Sequence, residues 1–131
     1  MTPEQKIRFK LDVLIKASSS LKKSLALPKD DIVRDSVIQR FEYTYELAWK
    51  AVKRYLEYNS GKVEFVVKNI WREAGTQGLI DDVELWFSFH LARNKTSHTY
   101  HEPTAEEVYQ KAREFSPCVD ELIRRLEKNI A

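Results

Sequence analysis

An all-α fold is predicted for this 131-residue chain by three features. Glycine and proline are scarce, apolar residues recur at alternating spacings of four and three, and polar capping signatures stand where those runs begin. Three glycines and four prolines leave few positions for tight β-turns, whereas Leu, Lys, Glu, Arg and Ala at helical spacing recur throughout. Short connections favour antiparallel neighbours. The expected architecture is therefore an antiparallel up-and-down four-helix bundle with an extra short helix and a kinked C-terminal helix, forming one domain over residues 1–131.

The first helix opens at Thr2, Pro3 and Gln5: a capping hydroxyl, a proline at the first helical position, and an amide three residues beyond the cap. Its apolar line is Ile7, Leu11, Leu14, Ser18, Leu21 and Leu25, and Pro28 stops it after about Ala26. Asp30 or Asp31 can cap the second and longest helix, whose inner face reads Val33, Val37, Phe41, Tyr45, Ala48, Val52 and Tyr55. It closes at Asn59 to Gly61, residues that tolerate left-handed backbone. A short third helix carries Val63, Val66, Val67, Ile70 and Ala74 on one side and ends at the Gly75 to Gly78 reversal.

Asp81 with Glu84 reads as a second capping box before the aromatic run VELWFSFHLARN, which reaches at least Asn94 and extends towards Ser97. Pro103 forbids smooth continuation, and Thr104 with Glu107 reads as a third box. The last helix then presents Val108, Ala112, Phe115, Val119, Leu122, Leu126 and Ile130 inward, with a kink expected at the internal Pro117. The second and fourth helices carry more large apolar side chains than a narrow seam hides. Either the core is broad or a second chain covers part of it.

Composition excludes several classes. The single cysteine, Cys118, cannot form an internal disulfide, no signal-like apolar run opens the chain, and no segment approaches the ~20 apolar residues of a membrane span. A cytoplasmic protein without membrane association is expected. The net charge of +2 is too small for a dedicated nucleic-acid coat.

Polar chemistry is densest in LARNKTSHTYHEPTAEE, where the aromatic helix ends in Arg93, Asn94, His98 and Tyr100. A guanidinium offers a planar fork for phosphate, an imidazole gives or takes a proton near neutrality, and a carboxamide can orient either. Together they suit metal-independent phosphodiester cleavage in RNA, with His98 and Arg93 serving the proton transfer and the charge-rich transition state. On an ideal helix Arg93 and His98 diverge by roughly 140°, so they meet only if the helix ends early or if two subunits each supply one. The bland reading is that cations at a helix C-terminus answer its dipole. A metal site on His90, His98 and His101 has only dispersed carboxylates nearby, and none is expected. Cys118 reads as packed.

The run Arg93 to Tyr100, RNKTSHTY, resembles the signature of the HEPN superfamily: arginine, four residues, histidine, then one residue and a tyrosine. RDSVIQRFEYTYELAWKAVKRYLE and GLIDDVELWFSFHLARNKTSHTYHE resemble the nucleotidyltransferase substrate-binding subfamily of those proteins, the toxin half of HEPN/MNT toxin–antitoxin pairs. The resemblance implies a homodimer that brings two arginine–histidine motifs together. It also implies a companion, a small nucleotidyltransferase antitoxin that uses ATP and Mg, while this chain needs no cofactor itself. Carried over by position, Arg93 would neutralise the scissile phosphate, His98 would be the general acid or base, Asn94 would position them, and Tyr100 would receive AMP and silence the ribonuclease. The alternative is a non-catalytic substrate-binding subunit of a two-component nucleotidyltransferase. RNA would have to be held by scattered cations such as Lys53, Arg54 and Lys95. Glu42 or Glu46 could pair with Arg93, and Tyr43, Tyr45 and Trp49 read as core or dimer contacts.

Overall fold

The computed structural model describes residues 1–130. The elements are α1 (Pro3–Leu25), α2 (Asp31–Ser60), α3 (Val67–Thr76), α4 (Val83–Asn94) and α5 (Glu102–Ile130), with a 3-10 turn at Thr96–His98 and no strand among the described residues. Helices α1, α2 and α5 pack against one another, α4 joins them against α2 and α5, and α3 wedges between α2 and α4. The bundle expected from the spacing is the one found.

The Thr2 box closes in both directions: the Gln5 amide N–H donates to Thr2 Oγ1 at 3.1 Å, and the Thr2 N–H donates to Gln5 Oε1 at 2.9 Å. Asp30 caps α2 by accepting from the Val33 N–H at 2.7 Å, and Gly61 ends it at φ 72°, where a side chain would be strained. The remaining helix starts differ from the sequence reading. Helix α3 begins at Val67, so Val63 and Val66 lie exposed in the loop before it, and Trp71 joins Ile70 and Ala74 inside. Asp82, not Asp81, caps α4, accepting from the Leu85 N–H at 3.0 Å. Asp81 is held instead by the Arg125 fork at 2.8 and 2.9 Å. Helix α5 starts at Glu102, with Pro103 in the first turn, where its missing N–H breaks no helical bond. Thr104 therefore sits inside the helix, and no Thr104–Glu107 box forms. Pro117 lies inside α5, depriving the Arg113 carbonyl of its helical donor.

At the reversal, only Gly78 needs positive φ, 76°. Gly75 stays helical and serves by size, since a Cβ there would lie 2.5 Å from Val83 Cγ2, at the crossing of α3 and α4. Core aromatics converge where α2, α4 and α5 meet. Phe115 lies edge-on to both Phe41 and Phe89, with centroids 5.2 Å away, and Trp86 packs 4.4 Å from Trp71. Burying each such ring contributes about 1.5–3 kcal/mol, so this junction fixes α4 firmly against α2. No described helix is long and apolar enough to cross a membrane.

Candidate active site at the end of α4

Helix α4 is docked against α2 by a chain of buried polar groups. The Trp71 Nε1–H donates to the Tyr45 hydroxyl at 2.9 Å, and that hydroxyl lies 2.9 Å from His90 Nδ1. The indole can only donate, and the phenol that accepts from it keeps its own proton and a second lone pair, so it meets Nδ1 of a neutral His90 imidazole in either tautomer. The electrostatics agree. Burial pushes the Tyr45 phenol well above its ordinary value, offset only in part by the bond from Trp71. Burial also lowers the His90 pKa; Glu46 opposes that shift, while Lys68 and Arg93 add to it.

One turn further along α4, Arg93 Nε donates to Glu46 Oε1 at 2.8 Å, and a second nitrogen lies 3.7 Å from Glu42. Glu46 is itself oriented by the Trp49 Nε1–H, 3.0 Å from its other oxygen. The expected pairing of Arg93 with these carboxylates is thus present, and both residues contribute. Arg93 is half-buried, and its Nη1 makes no hydrogen bond among the described residues, so part of the fork remains open to a ligand.

The helix stops at Asn94 rather than near Ser97. The Lys95 N–H turns back to the Ala92 carbonyl at 3.0 Å, and the Thr96 hydroxyl donates to the Arg93 carbonyl at 2.8 Å. The tighter 3-10 turn that follows carries His98, whose N–H donates to the Lys95 carbonyl at 3.0 Å. Asn94 and His98 are exposed, and Tyr100 is 83% exposed, its ring edge-on to His98 with centroids 6.1 Å apart. Within one chain Arg93 and His98 make no direct bond among the described residues. The helical register that would have aligned Asn94 with His98 is broken by the change of turn.

Several neighbouring groups are already engaged. Lys53 and Arg54 share one carboxylate, Glu57, and Lys95 pairs with Glu107 at 2.6 Å, so each of the cations expected to hold RNA has a carboxylate neighbour. His90 is committed to Tyr45, and among the described residues no three His, Cys, Asp or Glu side chains are grouped to hold a metal. Cys118 is half-buried, its thiol pKa raised by burial and by Glu114 and Asp82.

Sequence reasoning missed Trp71, although 67, 71 and 74 form a stripe of their own. It also missed Arg34, which is only 4% exposed. The available signal was a charged residue standing on the inner line 34, 38, 41, 45 of α2.

Comparisons with known proteins agree with the helical fold. Residues 9–128 match the family described as "Nucleotidyltransferase substrate binding protein like". A Haemophilus influenzae protein named "Probable ribonuclease HepT" is 34% identical, the match covering 82% of this chain and 85% of that protein. Two solved structures share the fold at 32% identity. One, from Thermus thermophilus, has a TM-score of 0.81 and covers 86% of this chain and 98% of its own. The other, also from Haemophilus influenzae, is described as revealing the fold of a substrate binding domain of a nucleotidyltransferase; its TM-score is 0.82, over 89% of this chain and 98% of its own.

Proposed function

Since the chain belongs to the nucleotidyltransferase substrate binding protein like family, we propose that it is the toxin half of a HEPN/MNT pair: a metal-independent endoribonuclease with a site shared across a homodimer. The observation that carries this reading is the grouping at the end of α4. A half-buried arginine with a free guanidinium edge is followed, on one short turn, by exposed Asn94, His98 and Tyr100. The relative named as a ribonuclease supports the same chemistry.

His98 takes the proton of the ribose 2′-hydroxyl as that oxygen attacks phosphorus. The 5′-oxygen leaves with a proton returned by an imidazolium, giving a 2′,3′-cyclic phosphate and a 5′-hydroxyl end. Arg93 carries the charge that builds on the phosphoryl oxygens, and Asn94 orients the pair. A second subunit supplies the histidine that one chain does not bring to its own Arg93. Leu91, 57% exposed, and half-buried Phe87 and Trp49 lie on the helices that carry the site and offer apolar surface for that contact.

Regulation follows from Tyr100. A partner nucleotidyltransferase using ATP and Mg transfers AMP from ATP to its hydroxyl and releases pyrophosphate, and the added anion then occupies the guanidinium and covers the site.

The test is cleavage of total cellular RNA by purified protein. His98→Ala and Arg93→Ala are each expected to lower kcat by about 10²–10⁴-fold. Equal cleavage by all three proteins would sink the assignment. A second reading, a non-catalytic substrate-binding subunit, is favoured by the engagement of Arg93 with Glu46 and Glu42. Mass spectrometry after incubation with the partner and ATP separates the two: an AMP adduct lost in Tyr100→Phe, in a protein without ribonuclease activity, supports the second.

A further inference from the structure

Among the described residues, neither the His98 imidazole nor the Tyr100 hydroxyl forms a hydrogen bond, so the backbone that carries them decides where they point. That backbone, from Arg93 to Glu102, is pinned at both ends to α2. At one end Arg93 meets Glu46. At the other, the Arg34 fork grips both carboxylate oxygens of Glu102, Nη1 to Oε2 at 2.6 Å and Nη2 to Oε1 at 3.2 Å. Arg34 and Glu46 stand twelve positions apart on one helix, a span of about 18 Å at 1.5 Å per residue.

The Arg34 end is built for holding. The side chain is buried, yet it faces Asp31 at 3.8 Å, Asp35 at 3.4 Å and Glu106 at 3.6 Å as well as Glu102, so it is fixed from every side. Lys29, lying over the Tyr109 ring, takes the other Glu106 oxygen at 2.6 Å and secures the same corner. By contrast, apart from exposed Lys95, which reaches Glu107 of α5 at 2.6 Å, the bonds inside the segment are short-range. The Thr99 hydroxyl donates to the Thr96 carbonyl, the His101 N–H to the His98 carbonyl, and His101 Nδ1 lies 3.1 Å from Thr104 Oγ1. These short-range bonds shape the turn without attaching it to α2.

We propose that Arg34 is a positioning residue for the site: through Glu102 it sets the far end of the Arg93–Glu102 segment, so that α2 acts as a rigid mount for His98 and Tyr100. This deepens the proposed function and rests on it for the importance of those two side chains. The mounting itself is testable without any substrate. Two carboxylates facing the clamp are held below the usual carboxylate range, Glu102 by its bond to Arg34 and Glu106 chiefly by its bond to Lys29, so the contacts are fully ionised at neutral pH.

The experiment is amide hydrogen exchange on the full chain with Glu102→Gln, a substitution at an exposed side chain that keeps its shape and removes its charge. Exchange at His98 and His101 is expected to rise by about tenfold while core amides around Phe41 and Phe115 change by less than about twofold. Arg34→Lys, which keeps the charge but loses the fork, is expected to fall between wild type and Glu102→Gln. Unchanged exchange in the segment, or an equal rise everywhere, would overturn the proposal. In the cleavage assay Glu102→Gln should lower kcat with little change in KM. A protein that shows the local exchange effect but no cleavage would keep the mount and discard the ribonuclease.

Discussion

At the scale of single residues, His90 shows how burial decides a role. Its position one turn before Asn94 makes it a candidate for chemistry on sequence alone, but its Nδ1 is taken by the Tyr45 hydroxyl and its pKa is pushed below the ordinary imidazole value of 6.5. The sign of the consequence is fixed. Between the two pKa values the unfolded chain holds a proton that the folded chain refuses, so His90 contributes stability that is complete above about pH 6.5 and is lost as pH falls through the folded-state value. Glu46, which opposes the shift, and Lys68 and Arg93, which enlarge it, are the charges that face the ring. His90→Gln cannot titrate, so its urea-unfolding free energy is expected to be flatter than wild type between about pH 7 and pH 5. Equal slopes for the two proteins would show that the imidazole is not held neutral. The types and order of Arg93, Asn94, His98 and Tyr100 were legible in the sequence because their chemistry is local. Glu46 was within reach of the same reading as a partner of Arg93, whereas the pairing of Glu102 with Arg34 depends on where α2 and α5 cross, and spacing along one helix cannot report that.

At the scale of elements, the long helices could be read because their apolar lines are long, whereas their starts were decided by competition between neighbouring residues. Asp81 and Asp82 are equally good caps by type; Arg125 of α5 claims the first, leaving the second to cap α4. Likewise Pro103 fits the first turn of α5, and the grip of Arg34 on Glu102 draws the helix start ahead of Thr104. The crossing of α3 and α4 turns on Gly75. Alanine there gains about 1 kcal/mol of helix propensity but places a methyl 2.5 Å from the stiff Val83 side chain, and overpacking of that kind costs about 1–3 kcal/mol. Net destabilisation of Gly75→Ala, relieved in the double variant with Val83→Ala, is expected from chemical denaturation. A single variant as stable as wild type would mean that the two helices separate freely.

At the scale of the whole molecule, the charge balance tells against tight, nonspecific capture of nucleic acid. At the end of α4 Arg93 is engaged by Glu46 on one edge and Lys95 by Glu107, and further along α2 Lys53 and Arg54 share Glu57. On the proposed function, an RNA strand would compete with these carboxylates as it enters, so few phosphates would be neutralised for each strand bound. For single-stranded RNA bound to the His98→Ala protein, log K against log salt is expected to have a slope no steeper than about −3, measured by fluorescence anisotropy. A slope near −8 would place the binding on a basic surface away from this site. The bundle also carries its own gauge of integrity. With Trp71 on α3 and Trp86 on α4 only 4.4 Å apart, the excited states of the two indoles mix, and the rotational strength they share belongs to neither helix alone. Detachment of the shortest helix is thereby written into the optical activity of the native protein, with no label added.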